Sequence, residues 1–523
     1  MPTAHAPDPI WHRAIAASRS GQWDVTEAAC RSLLALQPRH VGARLKLSHA
    51  LLSQGHYREA RDVACAATEA LARDLPAVLA VARRLRYFEE HEGLRDVLAR
   101  IASWGRIPLE AALDAAALAI SIGSHPLASG LIEGARRDGA KDPRWHYQKG
   151  MLATFKGATG EAEHAFEQCI ALLPDFAQAH WMLSRLSPVD AGHNHVVRLQ
   201  KAFARAVPGS EAAAYLAFAL HHELHGLQRF DEAWAALATT FGDPSWAPPH
   251  DSVAIAARFD ALQAAFSEPR DAGNRTGDFR PLFIVGMHRS GTSLVERMLS
   301  GHSDVADAGE SDAFPAQLRL LSGRDTREAV DIEIVQRSAA IDRGSLAAAY
   351  LSSSRWRTGG KSALTEKLPH NFLNVGFIAE SLANARIVNL ARDPMDVCFS
   401  NLRTFFRGMG SYSYDLVRMA EFYAGYHRLM EHWCSIYSER IYTVDYSRLV
   451  REPEAVAREV LAHCGLDFEP AVLDVGRAGG VVSTASTAQV RTGFDTSRGE
   501  AWRPYERQLA PMIETLRQAG LVE

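Results

Sequence analysis

A short loop near the middle of the chain carries side chains suited to binding a phosphate or sulfate group. Arg289 offers a fork of donors for such an anion. Hydroxyl donors follow at Ser290, Thr292 and Ser293. The apolar run that ends at Val285 is typical of a buried strand, and the spacing after the loop predicts a helix. A glycine-bearing turn between a strand and a helix N-terminus presents N–H groups and a positive dipole end to an anion. The segment predicts an anion cradle, with an ordinary strand–helix turn as the alternative.

The loop differs from a Walker A loop at one decisive position. Gly291 is the second glycine of the six-residue frame that begins at Gly286, and Thr292 follows it where that motif has lysine. A P-loop-like nucleotide kinase or hydrolase shares such a cradle, and the missing lysine counts against that function.

A second cationic group follows a second predicted strand. Residues 385–390 are apolar enough for a buried strand, Arg392 comes directly after them, and Pro394 opens a helix. Ser400 lies about two helical turns further on. Open α/β sheets bind ligands at the carboxyl ends of their strands, so Arg392 belongs to the same predicted site.

Five motifs follow one another through the C-terminal half: FIVGMHRSGTSLVERML, ADAGES, TEKLP, NARIVNLARDPMDVCFSNL and TVDYSRLV. With them the chain resembles the sulfotransferase family, in particular bacterial proteins that join tetratricopeptide repeats to a domain related to tyrosylprotein sulfotransferases. The resemblance implies transfer of a sulfuryl group from 3′-phosphoadenosine-5′-phosphosulfate to an acceptor hydroxyl, such as that of a protein tyrosine. The product would be adenosine 3′,5′-bisphosphate, and no metal is implied.

The resemblance also implies roles for individual residues. The loop from Met287 to Ser293 would hold the 5′-phosphosulfate, with Arg289 neutralising charge. Lys367 matches the lysine that stabilises the leaving phosphate, and Glu310 matches the general base. The positions that match nucleotide contacts are His288, Arg289, Ser290, Gly291, Thr292, Ser293, Arg392, Ser400, Tyr446, Ser486 and Arg498.

Arg392 and Ser400 would bind the 3′-phosphate, which distinguishes this donor from ATP.

Several of the other assignments have alternatives. Tyr446 is as typical of a core aromatic as of a nucleotide contact. His370, three residues after Lys367, is the second candidate for the general base. His288 stands where the family commonly has proline.

The N-terminal half repeats with the 34-residue period of tetratricopeptide repeats, measured from Gly21 to Gly55. First helices of further repeats are predicted to begin near Val41, Pro76, Leu109, Arg144, Ala177 and Glu211. An Ala-rich helical bundle is the alternative. The predicted fold is an all-α tetratricopeptide-repeat solenoid followed by a P-loop-like α/β sulfotransferase domain with a parallel sheet. The predicted segments are the repeats at 9–240, a linker with one short helix at 241–280, and the sulfotransferase domain at 281–523.

Composition bounds the location and the partners. The 523 residues have a net charge of −4, which argues against nucleic-acid binding. Six widely spaced cysteines, with no C-x-x-C pair, and the lack of a signal-like or membrane-spanning apolar run predict a cytoplasmic protein without a transmembrane segment.

The partner predictions concern the acceptor and a second copy of the chain. A repeat array suits a protein or peptide acceptor, although the repeats could instead be structural or form a homodimer. The acceptor is left open between a protein tyrosine, a glycan, a lipid-linked sugar and a small phenol. A non-catalytic repeat scaffold with a decayed transferase domain is a further alternative, which the retained site residues argue against.

Overall fold

The chain forms two compact units in the computed structural model. The first unit combines Met1–Asp138 with Asp312–Trp356, and the second combines Gly139–Ser311 with Arg357–Glu523. The structure describes residues 9–270, 279–326, 328–406, 410–476, 493–495 and 499–523. The segment boundaries proposed from the sequence follow chain order, whereas these units do not. The boundaries at 240 and 280 therefore stay a prediction about sequence segments.

The part of the chain before the sheet is helical, as the 34-residue period predicts. Four of the six predicted first helices begin at the predicted residue (α3, α7, α12 and α14), and the other two begin one residue earlier (α5 and α10). The helices are α1 Pro9–Arg19, α2 Trp23–Leu36, α3 Val41–Ser53, α4 Tyr57–Ala66, α5 Leu75–Tyr87, α6 His91–Ser103, α7 Leu109–Ser121, α8 His125–Gly134, α9 Arg136–Gly139, α10 Pro143–Lys156, α11 Thr159–Leu172, α12 Ala177–Ser184, α13 Val196–Arg205, α14 Glu211–Gly226, α15 Phe230–Ala238 and α16 Ser252–Ala265.

In the first unit, the segment that separates two sheet strands in sequence packs against N-terminal helices. Arg58 on α4 donates from Nε to the backbone oxygen of Leu320 at 2.9 Å. The Tyr87 hydroxyl donates to the Asp325 carboxylate at 2.7 Å. Glu89, whose side chain is 9% exposed, lies 3.9 Å from the guanidinium of Arg319. Polar contacts thus hold the segment Asp312–Trp356 against N-terminal helices of the same unit.

The second unit contains a five-stranded parallel sheet in the order β2-β3-β1-β4-β5. Its strands are β1 Arg280–Gly286, β2 Val305–Asp307, β3 Ala363–Lys367, β4 Arg386–Ala391 and β5 Ile441–Asp445. The central strand β1 is buried along nearly its whole length, which explains its continuous apolar run. The predicted parallel α/β arrangement is confirmed. The chain places β2 and β3 on one side of β1 and then β4 and β5 on the other, the arrangement that opens a ligand crevice at the strand ends.

Helices accompany and follow the strands. They are α17 Thr292–Ser300, α18 Ala313–Ser322, α19 Ile332–Gln336, α20 Arg343–Ser354, α21 Val375–Ser381, α22 Pro394–Leu402, α23 Leu416–Ile436, α24 Tyr446–Arg451, α25 Pro453–Cys464 and α26 Ala510–Gln518. Apolar residues of α17 and α25 pack with those of β1, β4 and β5 in one buried cluster. This packing fixes the end of β1 and the start of α17, and so the loop between them.

Helix α14 joins the last helical repeats of the second unit to its α/β part. The Ser210 side chain accepts a hydrogen bond from the N–H of Ala213 and caps the helix. The Tyr215 ring lies 4.3 Å from that of Phe405, and His225 Nδ1 pairs with the Tyr505 hydroxyl at 2.9 Å. These repeats therefore share a core with the sheet-bearing part of their unit.

None of the helices within the described ranges is long and apolar enough to span a membrane.

Candidate active site

The residues predicted to handle the donor meet at the carboxyl edge of the sheet. Ile284 pairs with Lys367 in register, and Gly286 pairs with Leu390 on the other side. Arg392 follows β4 and Tyr446 follows β5, so all these positions emerge at the same edge. Parallel strands bring the ends of distant segments together, and this is why motifs far apart in sequence form one site.

Two glycines allow the loop between β1 and α17 to approach its neighbours closely. Gly286 has φ +151°, and a Cβ there would lie 3.2 Å from the backbone oxygen of Leu390. Gly291 has φ +110°, and a Cβ there would lie 2.5 Å from a ring carbon of Tyr446. A side chain at either position would displace backbone or a packed ring, so the loop requires glycine at both.

Arg289 has left-handed backbone geometry within this loop. Its φ of +69° is unfavourable for a residue with a Cβ, by roughly 1–2 kcal/mol. The conformation brings Nε to within 3.1 Å of the Ser400 hydroxyl on α22. The structure therefore brings together two of the predicted donor-binding side chains, one from the loop and one from the helix after β4.

Three hydroxyl side chains of the loop and the first turn of α17 are buried. Ser290 is 1% exposed, and Thr292 and Ser293 are nearly as enclosed. Within the described part of the chain, the Ser290 Oγ has no hydrogen-bond partner. An unsatisfied buried hydroxyl is costly, and a bound anion oxygen would satisfy it.

Arg392 is held by a carboxylate and by an aromatic ring. Its Nη2 donates to Asp396 Oδ2 at 3.3 Å, and its Cζ lies 4.4 Å from the centre of the Tyr446 ring. Asp396 also accepts from the backbone N–H of Glu500 at 2.7 Å. Burial raises the pKa of Asp396, and the nearby guanidinium of Arg392 opposes that rise. Tyr446 thus belongs to the core and at the same time faces the guanidinium.

Lys367 and Glu310 form an ion pair at the end of β3. The backbone N–H of Lys367 donates to the oxygen of Gly309 at 3.0 Å, which extends the pairing of β3 beyond β2 and sets Glu310 beside the lysine. The Nζ of Lys367 lies 2.5 Å from Glu310 Oε1. The lysine side chain is fully buried, whereas that of Glu310 is 39% exposed. The predicted leaving-group lysine and general base are therefore in direct contact.

A second carboxyl approaches the same lysine. Glu296 on α17 is 3% exposed, and its Oε2 lies 3.8 Å from Lys367 Nζ. Burial raises the pKa of Glu296 well above its ordinary value, and the nearby carboxylates of Asp307 and Glu310 add to the rise. For Lys367, burial lowers the pKa, but the surrounding carboxylates outweigh burial and the pKa lies above its usual value.

The raised pKa of Lys367 is partly due to a negative charge on Glu296, whereas the raised pKa of Glu296 favours the neutral form of that same carboxyl. Glu296 is more deeply buried than Glu310, and burial favours its neutral form, whereas Glu310 makes the short contact of 2.5 Å with the Lys367 ammonium group.

His288 faces an aromatic cluster. Its Nδ1 lies 3.2 Å from the Tyr412 hydroxyl, and its ring centre lies 4.3 Å from that of His370. Burial lowers the pKa of His288 to about 3, with Lys367 and Arg289 adding to the effect. Burial also lowers the pKa of His370 well below its ordinary value, and His288 adds to this. Both imidazoles are neutral near pH 7, which makes His370 a weak proton acceptor.

Two predicted donor contacts, Ser486 and Arg498, lie outside the described residues. Sequence reasoning missed three groups that the structure adds to the site: Glu296, Asp396 and Tyr412. Asp396 had a recognisable signal, because it lies four residues after Arg392. Tyr412 had no signal. The described residues contain no group of three or more metal-ligating side chains.

Comparison with known proteins agrees with this geometry. Residues 281–470 match the Sulfotransferase family. An uncharacterized protein of Aquifex aeolicus (strain VF5) is 36% identical over 250 residues, which cover 46% of this chain and 32% of that protein. Protein-tyrosine sulfotransferase 1 of Danio rerio is 24% identical over 213 residues, or 39% of this chain and 59% of that protein. The chain thus spans about a third of the length of the Aquifex aeolicus protein and about three-fifths of the length of the Danio rerio protein.

Similarity also extends to a solved helical structure. A tetratricopeptide repeat protein from Parabacteroides merdae is similar to this chain with a TM-score of 0.33 and 14% identity, over 44% of this chain and 89% of that one.

The site at the strand ends, the five sequence motifs and the match at residues 281–470 all indicate the same family. The part of this chain at 281–470 is a domain of the sulfotransferase family.

Proposed function

We propose that this chain transfers a sulfuryl group from 3′-phosphoadenosine-5′-phosphosulfate to an acceptor hydroxyl. The family match supports the reaction class. The observation that carries the proposal is the Lys367–Glu310 contact of 2.5 Å at the strand edge that also holds Arg289 and Arg392. Such an edge offers an acid–base pair and two cationic groups to one anionic substrate.

The residues present fit a donor with phosphate groups at two places. Arg289 and Ser400 are in contact, and the unsatisfied Ser290 hydroxyl lies in the same loop. Arg392 presents its guanidinium across the Tyr446 ring, at the end of β4. Charge-assisted hydrogen bonds from such groups are among the strongest available to a phosphate or sulfate. A 3′-phosphate beside Arg392 and a 5′-phosphosulfate at the loop would satisfy both sets of donors.

The donor, when bound, supplies the sulfuryl group and the leaving phosphate. Arg289 and the N–H groups at the start of α17 orient its anionic oxygens and neutralise charge that develops on them. Lys367 supplies positive charge at the leaving oxygen. Glu310, once released from the lysine, accepts the proton of the acceptor hydroxyl as the new S–O bond forms and the S–O bond to the leaving phosphate breaks, with its electron pair left on the phosphate oxygen.

We assign the acceptor to the hydroxyl of a protein tyrosine. The support is the similarity to a protein-tyrosine sulfotransferase over 213 residues. The repeats are proposed to hold the acceptor chain, because stacked helix pairs commonly bind extended peptides. A cytoplasmic location is proposed with it, and all six cysteines are free thiols.

The test is transfer of radiolabelled sulfate from the donor to a set of acceptors. A tyrosine-containing peptide, a glycan, a lipid-linked sugar and a small phenol are each incubated with donor and the full chain. The proposal predicts donor-dependent labelling of the peptide. Labelling of another acceptor alone would retain the reaction and overturn the tyrosine assignment. Tight binding of ADP with magnesium, and no binding of adenosine 3′,5′-bisphosphate, would instead indicate a nucleotide kinase or hydrolase.

A further inference from the structure

The ion pair of the candidate site is closed in this structure. Lys367 Nζ and Glu310 Oε1 are 2.5 Å apart, so the lysine occupies an oxygen of the candidate base. A carboxylate that accepts a hydrogen bond from an ammonium group is a weakened base, because protonating it would break that bond. The same lysine also has to reach the leaving oxygen. Both functions require that the pair opens during the reaction.

Opening the pair leaves a charge in a buried place. The Lys367 side chain is fully buried, whereas the side chain of Glu310 is 39% exposed and can exchange the lysine for water. The lysine has no such option, and an uncompensated buried charge is strongly unfavourable. Between its release from Glu310 and its contact with the leaving oxygen, the lysine therefore needs a second polar partner within the protein.

Glu296 is placed to be that partner. It lies on α17, directly after the loop that carries Arg289, and its Oε2 is 3.8 Å from Lys367 Nζ. Among the described residues, the charged or titratable groups that face it include Lys367 from β3, Asp307 from the end of β2, and Glu310 from the segment after β2.

We infer that Glu296 is a positioning residue. In its protonated, neutral form, the Glu296 carboxyl holds the Lys367 ammonium group when Glu310 releases the lysine. The inference rests on the proposed sulfuryl transfer. A neutral carboxyl offers its carbonyl oxygen to the lysine without cancelling the positive charge. A carboxylate would cancel that charge, and Lys367 would stabilise the leaving phosphate less well. The raised pKa of Glu296 agrees with the neutral form.

Infrared spectroscopy of the resting protein tests the protonation state without any donor. The difference spectrum between wild type and Glu296→Gln at pH 7 should contain the carbonyl stretch of a protonated carboxyl group. Its absence would show that Glu296 is ionised and would overturn the inference, whether or not the protein is a sulfotransferase.

Kinetics then test the positioning role. Glu296→Gln preserves a neutral carbonyl beside the lysine, so turnover should stay within about threefold of wild type. Glu296→Leu removes the carbonyl, and turnover should fall at least tenfold while binding of adenosine 3′,5′-bisphosphate changes less than threefold. Glu380→Gln makes the same chemical change at a buried carboxyl on α21 and should leave turnover unchanged. A tenfold loss in Glu296→Gln, or normal turnover in a folded Glu296→Leu, would overturn the inference. If the leucine variant does not fold, the infrared band and the glutamine variant still decide it.

Discussion

Replacing Lys367 with methionine tests the centre of the proposed site. Methionine has a similar length and apolar stem, so Lys367→Met removes the ammonium group with little change in volume. Because Nζ lies 2.5 Å from Glu310 and 3.8 Å from Glu296, the variant deletes a positive charge that these two carboxyls share. We expect loss of chemistry with donor binding retained.

The magnitudes follow from burial and from the charge of the leaving group. Removing one preorganised group that stabilises transition-state charge costs about 2.7 kcal/mol or more, so turnover should fall ~100-fold or more. Breaking a fully buried ion pair costs ~3–5 kcal/mol. Glu310 is 39% exposed and rehydrates, so the free energy of unfolding should fall by only ~1–2 kcal/mol. The lost rate therefore exceeds what lost stability explains.

The assay measures turnover at saturating donor and, separately, binding of adenosine 3′,5′-bisphosphate by calorimetry. Lys361→Met is the matched control, because Lys361 precedes the same strand and its Nζ donates only to the backbone oxygen of Val305 at 2.9 Å among the contacts described. The control should turn over at the wild-type rate. If Lys367→Met retains more than a tenth of wild-type turnover, the lysine does not stabilise the leaving group, and the reasoning is refuted.

Three further predictions concern other parts of the chain. Arg392→Ala should weaken binding of adenosine 3′,5′-bisphosphate by ~2 kcal/mol or more while barely changing binding of AMP; equal losses in calorimetry would exclude recognition of the 3′-phosphate. Glu310→Gln should lower turnover ~100-fold at unchanged donor affinity, whereas normal turnover there with loss in His370→Asn would move the base to the histidine. Burial opposes ionisation of Glu89, yet His91 and an arginine hold its pKa at about 2, below the model-peptide value of 4.5, so its stabilisation is present above pH 4.5 and is lost as pH falls toward 2. Between pH 5 and pH 3, the unfolding free energy of Glu89→Gln should therefore fall by about 2 kcal/mol less than that of the wild type. An equal fall in both proteins, measured by denaturant titration, would contradict this.

Local sequence patterns predicted much of the fold. The apolar run before Gly286 and the 34-residue period depend on burial along one element, which neighbouring residues determine. β1 accordingly ends one residue after the predicted run, and the six predicted first helices begin within one residue of their predicted places. The parallel sheet was predictable for the same reason, since strands buried on both faces alternate with helices.

The division into compact units could not be predicted in this way. Asp312–Trp356 lies between β2 and β3 in sequence, yet it packs with N-terminal helices. The contacts that hold it, such as the one between Arg58 and the backbone oxygen of Leu320, join residues about 260 positions apart. No short-range pattern encodes such a contact.

The candidate site shows the same limit. Motifs indicated Arg289, Lys367 and Glu310, but their spacing did not show that the lysine and the glutamate are in contact. Glu296 was missed because a helical glutamate is usually solvent-exposed. Its burial follows from how α17 packs against the sheet, which is a tertiary property.

The most direct test of the proposed reaction follows both products in one mixture. The full chain is incubated with donor labelled in its sulfuryl group and with a tyrosine-containing peptide, and the labelled peptide and adenosine 3′,5′-bisphosphate are quantified together. Sulfuryl transfer predicts that the two appear in equal amounts, and that both are lost in Lys367→Met. Release of adenosine 3′,5′-bisphosphate without label on any acceptor offered, or no release at all from a protein that binds the donor, would contradict the account.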